Sequence, residues 1–369
     1  MRSFASLWMT LRRALVLAFI SGAFFAATAP SVASSPAQAG PSPALTVKDD
    51  LGRTVAVPAA VKRIVSLQAE ITRLVVALGA GGELAGIDYT MRRHDHLFKY
   101  IYPDEARLPV VSMAENNVNL ETLVSLKPDI IFASPFEKQI VEAIQRKTKI
   151  PVVALASLGD TAKLADELKL VGRILARERR AEELAAYFSG GLGRVRDRLK
   201  DVPAGRKPRV YMSFWGSLTR TPIRYDPVAI AGGLNLAEKA VPDVLGSAGT
   251  TVNVERIIAW NPDVILVHGN YLPAERTVTV EGILGDSRFA SLKAVKSRKV
   301  RYTFGFWNWW DMAEVLLETE YLAALFYPER FPAFDLGRRC DEIHKMFYGL
   351  DGGFAKLSAA LGCDEWTHD

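Results

Sequence analysis

Val118-Asn119-Leu120-Glu121-Thr122-Leu123-Val124-Ser125-Leu126-Lys127-Pro128-Asp129-Ile130-Ile131-Phe132 returns without a gap, 134 positions later, as Val252-Asn253-Val254-Glu255-Arg256-Ile257-Ile258-Ala259-Trp260-Asn261-Pro262-Asp263-Val264-Ile265-Leu266. Each copy reads as an Asn helix cap, a Glu in the first turn, two apolar turns, a Pro-Asp stop and a short β-branched run. That is a helix feeding a buried strand. One repeat at so long a period does not suit a solenoid, whose units span roughly 20 to 50 residues; it suits two similar α/β lobes.

Outward from the two copies the chain alternates strands with helices. Residues 45–57 alternate around Asp49-Asp50-Leu51-Gly52-Arg53 and predict a hairpin, and residues 63–67 and 84–87 predict strands separated by a helix over 70–78. A helix over 137–147 and a strand over 152–155 follow the first copy; in the second half, strands are expected over 209–212 and 300–303. The pattern implies mostly parallel sheets covered on both faces, which place ligands beyond the carboxyl ends of their strands. Residues 160–201 read as one long helical stretch with a bend or break at Gly190, Gly191 and Gly193, a connection stiffer than a Gly/Ser hinge. The expected organisation is a leader over 1–39, a first lobe over 40–157, a linking helix over 158–202 and a second lobe over 203–369.

The leader is a short apolar core behind Arg12-Arg13, ending at Ala37-Gln38-Ala39, and reads as an export signal rather than a membrane span. Three arginines and no acid lie in it, so the formal charge of +5 falls to +2 for the rest of the chain, which does not support a nucleic-acid footprint. The two cysteines, Cys340 and Cys363, suit a disulfide in an oxidising compartment; two separate buried thiols are the alternative.

The strand-end loops are aromatic and cationic. Tyr89, Arg92, Arg93 and His94 are expected on one side of a cleft, with Trp215, Arg220, Arg224, His268, Tyr271, Trp307, Trp309 and Trp310 on the other. Rings supply apolar area and arginines forked donors, a combination suited to a flat anionic ligand. Core packing of the Trp-rich loop and a solvated Arg92-Arg93 pair are the plainer readings. His94-Asp95-His96 has ligand chemistry without the three or four donors of a stable metal site. Gly-x-Ser-x-Gly, phosphate-loop, Gly-x-Gly-x-x-Gly and His-Glu-x-x-His signatures are absent from the sequence, which favours a binder over an enzyme.

Together these stretches resemble the class III periplasmic substrate-binding proteins of ABC importers for ferric siderophores, haem and corrinoids. The likeness rests on the opening through Val55, Lys62-Arg63-Ile64-Val65-Ser66, Leu78-Gly79-Ala80-Gly81 and both copies of the repeat. It implies two Rossmann-like lobes joined by one long helix, a soluble and monomeric periplasmic protein without a cofactor, and docking onto a permease and its ATPase through Glu121 and Glu255. It also implies a metal chelate of ferric siderophore type as ligand, with an arginine basket from Arg92, Arg93, Arg220 and Arg224. Haem, with Tyr89, Met91, His94 or His268 as axial group, a corrinoid or an oxyanion are the alternatives, and an exported metal-dependent enzyme using His94 and His96 is the competing class.

Overall fold

A computed structural model describes residues 43–112, 117–135, 138–155, 160–243, 249–305 and 311–367; the expected leader lies outside them. The chain opens on a hairpin of β1 (Pro43–Lys48) and β2 (Thr54–Pro58), closed by Asp49, whose Oδ1 accepts from the amides of Leu51 and Arg53 at 3.1 and 2.9 Å. The first lobe then runs β3 (Ile64–Ser66), α1 (Ala69–Ala77), β4 (Leu84–Gly86), α2 (Tyr89–His94), α3 (Phe98–Ile101), α4 (Leu120–Ser125), β5 (Ile130–Ala133), α5 (Lys138–Thr148) and β6 (Val152–Ala154). Its strands pair in parallel in the order β4-β3-β5-β6. Residues Ile64, Val65, Ile130, Ile131, Phe132, Val152 and Val153 are buried, the continuous apolar runs of a sheet covered on both faces.

Two helices, α6 (Thr161–Ile174) and α7 (Glu178–Leu199), join the lobes. The single helix expected there is broken at Ala176, whose φ is 54°. Conversely, α7 runs unbroken through Gly190, Gly191 and Gly193, where a bend is expected. Close packing explains it: a Cβ at Gly191 would lie 2.5 Å from Leu316, so the glycine admits a neighbouring helix rather than ending its own. The 22-residue α7 is the long connection; near its start Arg180 Nε donates to Ala77 O at 3.2 Å in the first lobe.

The second lobe comprises β7 (Arg209–Ser213), β8 (Arg220–Pro222), α8 (Asp226–Ile230), β9 (Leu234–Asn235), β10 (Gly249–Thr251), α9 (Val254–Trp260), β11 (Val264–His268), α10 (Val280–Gly285), α11 (Lys293–Lys296), β12 (Val300–Thr303), α12 (Met312–Phe326), α13 (Leu336–Tyr348) and α14 (Gly353–Leu361). Strands β12-β11-β7-β9 form its parallel sheet, and β10 pairs antiparallel with β8. The C-terminal part is not confined to this lobe, because α13 also packs on α1. One apolar core runs from the opening hairpin through α6 and α7 to α12 and α13, so a large change of lobe angle would expose buried surface.

The repeat is structural down to single atoms. Asn119 Oδ1 accepts from Thr122 N–H at 3.0 Å and Asn253 Oδ1 from Arg256 N–H at 2.8 Å, capping α4 and α9 alike. Each helix ends on a left-handed residue, Lys127 (φ 46°) and Asn261 (φ 45°). Each Pro-Asp then clasps the start of the adjacent strand: Asp129 Oδ2 accepts from Arg63 N–H at 2.9 Å, and Asp263 Oδ2 from Arg209 N–H at 3.0 Å.

Candidate functional site

The segment 88–96, expected as a polar loop, is mostly helix, because Asp88 accepts from Met91 N–H at 3.0 Å and caps α2. The helix divides its candidates. Met91 is fully buried and unavailable as an axial group, while Tyr89 is 40% exposed at the cleft-side end. Arg92 is committed locally: Nε lies 2.9 Å from Glu105 Oε2, and Nη2 donates to the carbonyls of Glu105 and Leu108. Arg93 instead reaches the other lobe, with Nη2 3.2 Å from Glu275 Oε1. His94 stands edge-on to Tyr89 at 6.4 Å. Burial, and for His94 the positive charge of Arg93, lower the pKa of His94 and His96, so both imidazoles are neutral at pH 7.

On the opposite wall the turn after β7 passes through Trp215 (φ 52°) and Gly216 (φ 65°), which sets the Trp215 ring beneath Arg220, 5.0 Å from the guanidinium. Phe214 stacks on His268 at 4.7 Å, and Tyr271 meets the same imidazole edge-on at 5.0 Å. His268 is buried; its Nδ1 accepts from Trp215 N–H at 3.2 Å, and burial drives its pKa down to about 3, so it serves as a neutral support of the aromatic wall. Arg224 does not join that wall. It pairs with Asp226 at 3.3 Å and Asp160 at 3.4 Å, tying α8 to the start of α6. Among the described residues Arg220 has no carboxylate within ion-pair distance. Trp307, Trp309 and Trp310 lie outside the described residues.

The floor of the cleft escaped the sequence reading. Arg73 of α1 is buried between the lobes, bonded to Asp95 through Nε (2.5 Å) and Nη2 (2.7 Å), with Nη1 3.9 Å from Asp311 at the cap of α12. Tyr348 of α13 donates its hydroxyl to Asp311 and lies 5.2 Å beneath the guanidinium. A partly open space of about 30 Å³, room for one water, is lined by Arg73, His94, Asp95, His96, Asn270 and Asp311 among others. A cue existed in the sequence: Arg73 sits among Ile71, Leu74, Val75, Val76 and Ala77 in a mostly apolar helix.

Several other acids are buried in the two lobes. Burial, with nearby carboxylates, pushes Glu70 up to about 8 and Glu167 to about 9, and burial takes Asp88 to about 6; these three belong to the first lobe and to α6. In the second lobe burial raises Glu318 to about 8, where it accepts from Thr303 Oγ1, Phe304 N–H (3.1 Å) and the Tyr225 hydroxyl (3.2 Å). The expected Cys340–Cys363 disulfide is not formed. Both are buried free thiols: Cys340 Sγ lies 3.1 Å from His344 Nδ1, and burial raises both pKa values, that of Cys363 to about 12. Among the described residues no group of three or more His, Cys, Asp or Glu is placed to hold a metal ion, and no helix is long and apolar enough to cross a membrane.

Residues 64–304, spanning both parallel sheets and both cleft walls, match the family model described as Periplasmic binding protein. The chain belongs to this family. As a periplasmic binding protein it is 27% identical over 332 residues to the molybdate-binding protein MolA of Haemophilus influenzae, across 82% of this chain and 90% of MolA. The structure of MolA bound to molybdate superposes with a TM-score of 0.72 at 24% identity, covering 83% of this chain and 98% of MolA. Helicobacter pylori CeuE with Ni(II) bound gives 0.70 at 20% identity (86% and 99% covered), and the periplasmic haem-binding protein RhuT of Roseiflexus sp. RS-1 gives 0.57 at 22% (73% and 100%). The family and the relatives to which the chain is similar are binding proteins rather than enzymes.

In this binding protein Glu121 and Glu255 are exposed in the first turns of α4 and α9. Each helix precedes its strand through a tight turn and runs back along it, so both carboxylates sit at the carboxyl ends of the sheets, the same side as the cleft.

Proposed function

We propose that the protein captures a small tetrahedral oxyanion of the molybdate class between its lobes and hands it to a permease that docks on Glu121 and Glu255. The observation that carries this reading is the cation inventory. Of the four arginines that would form a basket for a ferric siderophore, Arg92 and Arg224 are held by carboxylates away from the cleft, which leaves Arg220 on one wall and Arg93 on the other. One or two forked donors, with neutral His94 and His96 able to donate N–H bonds, suit a compact anion. They are few for a large multiply charged chelate. The relation to MolA, which binds molybdate, supports the same ligand class.

Calorimetric titration with molybdate, tungstate, sulfate and a ferric catecholate tests the reading. Saturable molybdate or tungstate binding without chelate binding is expected; chelate binding without oxyanion binding would overturn it. Docking is tested separately by reversing both glutamates (Glu121→Lys with Glu255→Lys), which should abolish transport and leave ligand affinity unchanged.

A further inference from the structure

Arg93 and Glu275 are 182 residues apart in sequence, come from opposite lobes and meet at 3.2 Å across the cleft edge. Both side chains are nearly half exposed, 49% and 40%, so the bridge is one of the weak surface kind that a competing anion can displace. The charged groups around it are few. His94 and His96 lean towards the neutral form, and Lys99 and Asp95 face His96, Asp95 being already bound to Arg73. Glu275 is therefore the carboxylate that Arg93 holds, and a carboxylate presents to a guanidinium the same pair of acceptor oxygens that an oxyanion does.

We infer that Glu275 is a built-in competitor for the anion: it occupies Arg93 until the ligand displaces it, and so sets the affinity of the cleft. This rests on the oxyanion reading above. The thermodynamics are those of any binding-competent state that is only partly populated: the apparent dissociation constant is the intrinsic one divided by the fraction of molecules in which Arg93 is released. Glu275 thus weakens binding while it contributes to holding the lobes in register. A residue with a merely structural part in lobe packing would do the opposite, since its loss would loosen the cleft and lower affinity.

Titrating molybdate into the parent, Glu275→Gln, Arg93→Gln and the double variant decides between these. Glu275→Gln should tighten binding by roughly three-fold, the size of a surface ion pair. Arg93→Gln should weaken it by about ten-fold, as expected for a lost charge-assisted bond, and in the Arg93→Gln background the Glu275 change should have no effect. Unchanged or weaker binding by Glu275→Gln, with the parent still binding, would overturn the inference and leave the oxyanion reading standing. Should the parent bind no oxyanion, the oxyanion reading fails and a ligand-independent readout still judges the contact. Phenylglyoxal should modify Arg93 faster in ligand-free Glu275→Gln than in the parent, and equal rates would show that Glu275 does not hold it.

Discussion

On the first-lobe side the cleft edge is a short helix carrying Tyr89, Arg93 and His94, partly open to solvent and joined to the far lobe through one exposed ion pair; on the second-lobe side it is a packed set of rings, Phe214, Trp215, His268 and Tyr271, with Arg220 laid on top. The first wall offers charge that can be rearranged at little cost. The second offers shape, because its rings fix one another and His268 is buried. Beneath both, Arg73 and its two aspartates link the lobes in a buried setting where a charge cannot be left unpaired. The same ion-pair chemistry therefore has opposite consequences by burial alone: deep, it fixes lobe geometry; exposed, it can yield to a ligand.

The comparison is broken most severely at the floor. Arg73→Met should cost about 3 to 5 kcal/mol in urea unfolding, because it leaves Asp95 and Asp311 buried without their cation; a loss below about 1 kcal/mol would mean that the floor does not hold the lobes. A smaller effect is expected from the acids. Glu70 and Glu167 keep their protons in the folded state up to about pH 8 and 9, against 4.5 for the free side chain. The folded protein therefore holds protons that the unfolded chain has lost, so their contribution is complete below pH 4.5 and declines as pH rises towards 8 to 9. Glu167→Gln should flatten that decline, stabilising the protein on the order of 2 kcal/mol at pH 8 and little at pH 4.5, as read by denaturant midpoints across pH. The smallest change is at the aromatic wall. Arg220→Gln should weaken oxyanion binding about ten-fold, roughly 1.4 kcal/mol, with the melting temperature unaltered; an unaltered affinity would move the ligand away from that wall.

Much of the architecture was legible because it is written in local patterns. The Asn caps, Pro-Asp stops and β-branched runs of the two copies act within a few residues of themselves, and both copies fold alike. The site was legible only in part. Arg92 and Arg93 are adjacent and chemically identical, yet one faces Glu105 and the other Glu275, a division set by helix phase around α2. Arg224 was indistinguishable from Arg220 until Asp160 and Asp226 were seen beside it. Gly191 looked like a helix breaker because its partner, Leu316, is 125 residues away.

The sequence by itself determined the two lobes, the parallel sheets and the pair of first-turn glutamates, since each of these follows from periodicity, capping and spacing along the chain, and its resemblance to known binding proteins pointed to the family. Tertiary structure alone decided which carboxylates Arg92, Arg93 and Arg224 meet, that the stretch 160–201 is two helices, that Cys340 and Cys363 remain thiols, and that Arg73 lies buried between the lobes. These depend on which side chains meet from distant parts of the chain, and on how completely water is excluded where they meet.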